Sequence, residues 1–260
     1  LGLFWLFRLL WRKQSQGKSQ KIAKKDYVRL LFCGLFGVCL NQMLFFEGLF
    51  RTSEINSSIM MTSNPLIVLI IAALFINERI TGPKIIGIII GGIGATLIIL
   101  SGDRSVEGSS RFGDLLILGN SACYAIYLVS VKPLMKKYHP MLVISWVFLF
   151  GALFVIPLGF GQFTEINWDM PPSIIGSILF VIIGTTFFAY LFNIYGVSKL
   201  NASVVSSYIY LQPVLATIFA LIISYDEKVG GITYEKIGYA FLIFIGVYLV
   251  SKPQKSHMRA

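Results

Sequence analysis

Charge is scarce in this sequence. Only 13% of its 260 residues are Asp, Glu, Lys or Arg, about half the share found in soluble domains. Hydrophobic residues make up 56%, and the mean hydropathy is +0.76. In water such a chain would leave large apolar surfaces uncovered. That excludes a soluble enzyme, a disordered chain and a disulfide scaffold, and leaves an integral membrane protein. Histidine is nearly missing: His139 and His257 fall in a loop and in the tail. With no metal-ligand cluster and no Walker-type phosphate loop, no cofactor, no metal and no enzyme activity are expected. The three cysteines, Cys33, Cys39 and Cys123, lie inside apolar runs. They read as small buried hydrophobes rather than bridges or ligands. Acids are fewer than bases, giving a net charge of +10. The bases cluster between apolar runs, which points to membrane orientation and not to nucleic acid.

What is present is long apolar runs. A spanning helix needs about 20 apolar residues. Six stretches qualify: Val28–Phe50, Ile55–Ile76, Leu115–Met135, Met141–Phe160, Ile174–Val197 and Ser203–Ser224. Ile85–Leu100 and Ile237–Val250 are short, and reach spanning length only with flanking Lys84, Ser101, Lys236 and Ser251. Lysines there are expected to snorkel. Leu1–Trp11, interrupted by Arg8, is too short to span. It lacks the marks of a signal peptide and reads as the inner end of a helix whose beginning is absent. The expected fold is all-α: a polytopic transmembrane helix bundle of eight full spans plus a stub.

If the basic run after the stub is cytoplasmic, the inner segments 12–27, 77–84, 132–140, 198–202 and 251–260 hold 15 Lys/Arg. The outer segments 51–54, 101–114, 161–173 and 225–236 hold 5. This is a positive-inside pattern, and it puts the C-terminus in the cytoplasm.

The chain also repeats. At an offset of 148, Asn64-Pro65 aligns with Gln212-Pro213, Gly48 with Gly196, Ser58 with Ser206, Ile70 with Ile218 and Ala72 with Ala220. Each half runs long helix, polar turn, Pro-centred helix, charged turn (Glu78-Arg79; Glu227-Lys228) and short helix. The charge count sends Ile55–Ile76 inward and Ser203–Ser224 outward, so the halves are inverted. Inverted repeats are a transporter signature.

Residues 34–80, GLFGVCLNQMLFFEGLFRTSEINSSIMMTSNPLIVLIIAALFINERI, resemble the third and fourth spans of EamA-type proteins of the drug/metabolite transporter (DMT) superfamily. Residues 200–229, LNASVVSSYIYLQPVLATIFALIISYDEKV, are similar to the ninth span, and residues 113–134, GDLLILGNSACYAIYLVSVKPL, to the sixth. The resemblance implies ten spans in two inverted five-helix repeats. By that template the first span and most of the second are missing from this chain. Two departures are Tyr124, where members often carry tryptophan, and Glu47, where many are apolar.

Several residues could carry transport. Asn64 and Gln212 each precede a proline, Pro65 and Pro213, at mid-depth. Proline frees a carbonyl one turn back, and unpaired backbone in a bilayer is tolerated only inside protein or beside water. The pair either lines a cavity or makes two packed kinks; the resemblance favours the cavity. Asn41 and Gln42 lie deep in their span and contact substrate or link helices. Glu47 is an intramembrane acid and hence a proton-coupling candidate. It also stands four residues before Arg51, a spacing suited to an ion pair. Asn193, Tyr124, Tyr127, Tyr208 and Tyr210 offer polar tips to a pocket, though tyrosines also serve as belt residues. Trp5, Trp11, Trp146 and Trp168 include expected belt anchors. Gly87, Gly91 and Gly94 form a ridge for close packing, within the chain or in a homodimer.

The expected division is 1–101 for the first repeat, 102–114 for a linker, 115–251 for the second repeat and 252–260 for a cytoplasmic tail. The expected function is a permease of the plasma or inner membrane that moves small organic solutes, outward, by alternating access. Its expected partners are a small-molecule solute and the lipid bilayer. A non-transporting membrane sensor or scaffold is the alternative; the repeat and the lack of a long soluble stretch weigh against it. Cysteines placed at Ser57 and Asn201 are expected to react with an impermeant thiol reagent from opposite sides of the membrane. Labelling of both from one side overturns the inverted arrangement.

Overall fold

The computed structural model describes residues 1–14, 21–52, 54–100, 110–166, 168–215, 218 and 234–252. The linker up to residue 109, the far part of the expected span 203–224, the Glu227-Lys228 turn and the tail past residue 252 lie outside the described residues. Among the described residues the regular structure is helical throughout. Five helices are long and apolar enough to cross a membrane: Lys24–Arg51, Ser57–Ile76, Arg111–Met135, Pro140–Thr164 and Pro172–Lys199. Gly82–Leu97 and Ile237–Ser251 are shorter apolar helices. Seven of the apolar runs read from the sequence lie within a few residues of these bounds, and the eighth, Ser203–Ser224, falls largely outside the described residues.

The chain forms two compact units, residues 1–43 with 126–200, and residues 44–125 with 201–260. Each takes parts from both halves of the sequence.

The first unit holds α1 (Gly2–Gln14), α2 (Lys24–Gly34) and a π-helical segment, Leu35–Leu40. It also holds the end of α7 (Arg111–Met135), α8 (Pro140–Thr164), α9 (Pro172–Phe180), a second π-helical segment, Val181–Phe188, and α10 (Ala189–Lys199). The N-terminal half of α8 is the core: Met141, Leu142, Val143, Ile144, Val147 and Phe148 are buried. The C-terminal half of α8 and all of α9 are apolar and exposed, as befits helices that are hydrophobic all round and face lipid. Phe4 is buried with its ring 4.4 Å from Phe148 and 4.8 Å from Phe187. Trp146 packs among Tyr27, Phe150 and Trp5 at 5.1–5.8 Å. It is a packing residue here, while Trp168 is exposed and Trp11's side chain lies outside the description. At the start of α2, buried Asp26 accepts from Lys137 Nζ at 3.0 Å and from Tyr138 Oη at 2.8 Å. Cys33, Cys39 and Cys123 are free and buried, as expected.

The second unit holds the end of α3 (Asn41–Arg51), α4 (Glu54–Met61), α5 (Asn64–Ile76), α6 (Gly82–Leu100) and the start of α7. From the far half it takes α11 (Ala202–Ser207), a 3-10 turn (Tyr208–Leu211) and α12 (Tyr234–Ser251). Asn77 ends α5 in the left-handed region at φ 53°, a conformation asparagine tolerates. The next residue, Glu78, pairs with Lys84 Nζ at 2.7 Å, both nearly fully buried, and Ser203 Oγ donates to the same carboxylate. Lys84 therefore does not snorkel: a buried ammonium needs a partner, and Glu78 supplies it.

The glycine ridge is used within the chain. A Cβ on Gly87 would lie 2.6 Å from Gly246 O, one on Gly246 would lie 2.6 Å from Gly87 O and Gly91 Cα, and one on Gly94 would lie 2.8 Å from Tyr239 O. Backbone meets backbone where α6 crosses α12, so no side-chain motion can make room. Gly246→Ala is expected to destabilise the protein by about 1–3 kcal/mol, read as a lower midpoint of thermal unfolding in detergent. An unchanged midpoint contradicts the close crossing.

Candidate functional site

The Asn-Pro pair does break its helix. Pro65 has no N–H to give to the carbonyl one turn back, and the chain turns at Thr62–Ser63 between α4 and α5. The Leu66 N–H goes to Ser63 O at 3.1 Å, leaving Thr62 O without it. The hydroxyls of Thr62 and Ser63 bond back to Ile59 O and Met60 O, both at 2.7 Å. A buried carbonyl without a donor is costly in a bilayer. Tyr210 provides the donor: its hydroxyl lies 3.0 Å from Thr62 O and 3.1 Å from Ile88 O and is shared between them. Tyr210 sits in the 3-10 turn just before Gln212-Pro213, the second irregularity expected from the sequence. Its ring fits because Gly91 has no side chain; a Cβ there would stand 2.7 Å from Tyr210 Cδ2. Beside this contact is a cavity of about 340 Å³. Its lining is mostly apolar, with Leu66, Ile89 and Ile93 beside Thr62, Ser63, Thr96 and Tyr210.

In the first unit, Gln42 Nε2 donates to Tyr190 Oη at 3.3 Å, and Tyr190 donates to Gly37 O at 2.8 Å. Gly37 lies in the first π segment, and the Tyr127 ring would be 2.4 Å from a Cβ there. A π turn widens a helix and misaligns its carbonyls, which leaves Gly37 O open to a side-chain donor.

The residues singled out from the sequence fall into both units. Asn41 and Gln42 start α3, and Asn193 lies on α10, in the first unit. Asn64, Pro65, Tyr124, Tyr208, Gln212, Pro213 and Glu47 belong to the second. Asn64 is 2% exposed and its Oδ1 has no hydrogen-bond partner, whereas Gln212 and Tyr208 are exposed. Glu47 is half exposed and ion-paired with Arg51. Tyr190 escaped notice in the sequence; its place at exactly one repeat length from Gln42 was the available signal.

The EamA-like transporter family matches residues 1–100 and 111–252. The chain belongs to this family. EamA-like proteins are transporters and not enzymes, and so is this chain. It is 28% identical over 242 residues to the "Uncharacterized transporter YyaM" of Bacillus subtilis, spanning 91% of this chain and 77% of that one. An "Uncharacterized transporter" of Archaeoglobus fulgidus is 28% identical over 232 residues, spanning 89% and 80%. A "Probable terminal-alkyne amino-acid exporter" of Streptantibioticus cattleyicolor is 24% identical over 210 residues, spanning 76% and 65%. A chain of known crystal structure superposes with TM-score 0.68 at 16% identity, covering 89% of this chain and 77% of its own; it speaks to the fold alone.

Tyr210→Phe keeps the ring and removes the donor from Thr62 O. The expected cost is about 1–3 kcal/mol, measured as a lower unfolding midpoint with the helical circular dichroism retained. A midpoint equal to wild type means that the carbonyl finds another partner.

Proposed function

We propose that this multi-pass membrane transporter exports small organic solutes across the plasma membrane by alternating access, using two inverted repeats that span the bilayer eight times in this chain, with a cytoplasmic C-terminus. The observation that carries the reading is a pair of hydrogen bonds. Gln42–Tyr190 and Thr62–Tyr210 both join residues 148 positions apart, the offset at which the two halves align. Residues that touch their own repeat counterpart stand beside the axis relating the halves. Further support comes from helix bounds. Lys24–Arg51 and Pro172–Lys199 are both 28 residues long and start one repeat apart. Leu35–Leu40, moved by the same offset, falls inside the second π segment. Residues 1–43 of the first unit, shifted by 148, become 149–191 in the same unit.

Two halves of opposite orientation supply inward-open and outward-open states of similar energy. Outward movement is favoured by the relative named as an exporter. Asn41, Gln42, Asn64, Tyr124, Asn193, Tyr208 and Gln212 are the proposed polar contacts to solute, with Pro65 and Pro213 opening the backbone next to them. The unpartnered Asn64 Oδ1 suits a solute that donates a hydrogen bond, such as an amine. Glu47 is the proposed proton-coupling acid, with Arg51 as its ion-pair partner.

Vesicles containing the protein and loaded with radiolabelled amino acids are expected to lose label several-fold faster than protein-free vesicles. Equal rates across a broad panel of amino acids and small amines overturn the proposal. Glu47→Gln is expected to flatten the pH dependence of that efflux; an unaltered profile removes Glu47 from coupling and leaves it as the partner of Arg51.

A further inference from the structure

The hydrogen bonds of the first unit differ in how they behave when the two halves exchange conformations, and this rests on the inverted-repeat reading above. Exchange replaces each residue by its counterpart 148 positions away. Gln42 and Tyr190 are counterparts, so their contact is turned into itself and survives. The bond from Tyr190 to Gly37 O is not its own image. Its image joins Gln42 to the carbonyl of Thr185, a residue of the second π segment. Gln42 makes no such bond in this structure; its amide nitrogen goes to Tyr190. An amide has two N–H groups, so Gln42 can keep Tyr190 and reach a second carbonyl as well.

We propose that Gln42 and Tyr190 are positioning residues at the pivot of the transport cycle: their mutual bond is common to both states, Tyr190 holds the Gly37 carbonyl in this state, and Gln42 holds the Thr185 carbonyl in the other. Each π segment leaves one carbonyl for the pivot to take, and the two are taken in turn. The inner-end cluster of Asp26, Lys137 and Tyr138 marks the present state. The counterpart of Asp26 is Ile174, whose side chain cannot accept a hydrogen bond, so this contact has no image in the other half, and the proposal has the exchange release it.

The test places nitroxide labels on Ala23→Cys and Lys136→Cys, exposed positions flanking that cluster, with Cys33, Cys39 and Cys123 changed to alanine. Two spacings are expected in lipid vesicles, one for each state. Tyr190→Phe removes a bond made only in this state and is expected to shift the ratio about fivefold toward the wider spacing. Gln42→Leu removes a bond made only in the other state and is expected to shift it by a similar factor toward the narrower one. A role limited to packing would lower the amount of folded protein without moving the ratio in opposite directions. A single spacing in all three proteins, no change in ratio, or shifts of the same sign overturns the pivot. Efflux from amino-acid-loaded vesicles, measured in parallel on the unlabelled chain, reports on transport separately: its absence counts against the proposed function and leaves the ratios to decide the pivot.

Discussion

A bilayer offers no water to a backbone carbonyl, and each unpaired one costs several kcal/mol. Two departures from regular helix, the α4–α5 break and the Leu35–Leu40 segment, each come with their own donor. The α4–α5 break is stable because Thr62 and Ser63 hydroxyls fold back on the preceding turn and Tyr210 reaches in from the other half of the sequence. The Leu35–Leu40 segment is stable because Tyr190 reaches Gly37 O. Lys132 acts similarly at the end of α10, donating to the carbonyls of Val197 and Leu200. A few long side chains thus hold these carbonyls, and Tyr210 and Tyr190 bind the two sequence halves together.

The same demand governs charge. Glu78 and Lys84 are buried together, with Ser203 on the carboxylate. Asp26 is buried against Lys137 and Tyr138. Removing either partner of such a pair leaves an uncompensated ion, which is far costlier than losing the pair as a whole. Lysines that count toward orientation in the sequence serve in the folded chain as fasteners between segments distant in sequence.

The spans were legible because an apolar run of sufficient length has few alternatives to a helix. So was the Asn64-Pro65 break, since proline removes a specific donor wherever it stands, and so was the Glu47–Arg51 pair, which depends only on helical spacing. The π segments were not legible. Leu-Phe-Gly-Val-Cys-Leu reads like any other apolar stretch, and the extra residue in the turn is set by what packs around it. Tyr190 was hidden among twelve tyrosines, because its importance lies in a contact across 148 residues. Lys84 looked like an interfacial residue at a helix start; only the folded chain brings Glu78 and Ser203 to it. The division into units was beyond the sequence for the same reason, as each is assembled from both halves.

The crossing of α6 and α12 has an evolutionary consequence. Where a large side chain clashes in an ordinary core, a smaller neighbour can relieve it. At Gly87 and Gly246 the neighbour is already the smallest residue there is, and the nearest obstructing atoms are main chain. A smaller neighbour cannot rescue a first change there, so lineages that keep this architecture have no such route of drift through these two positions.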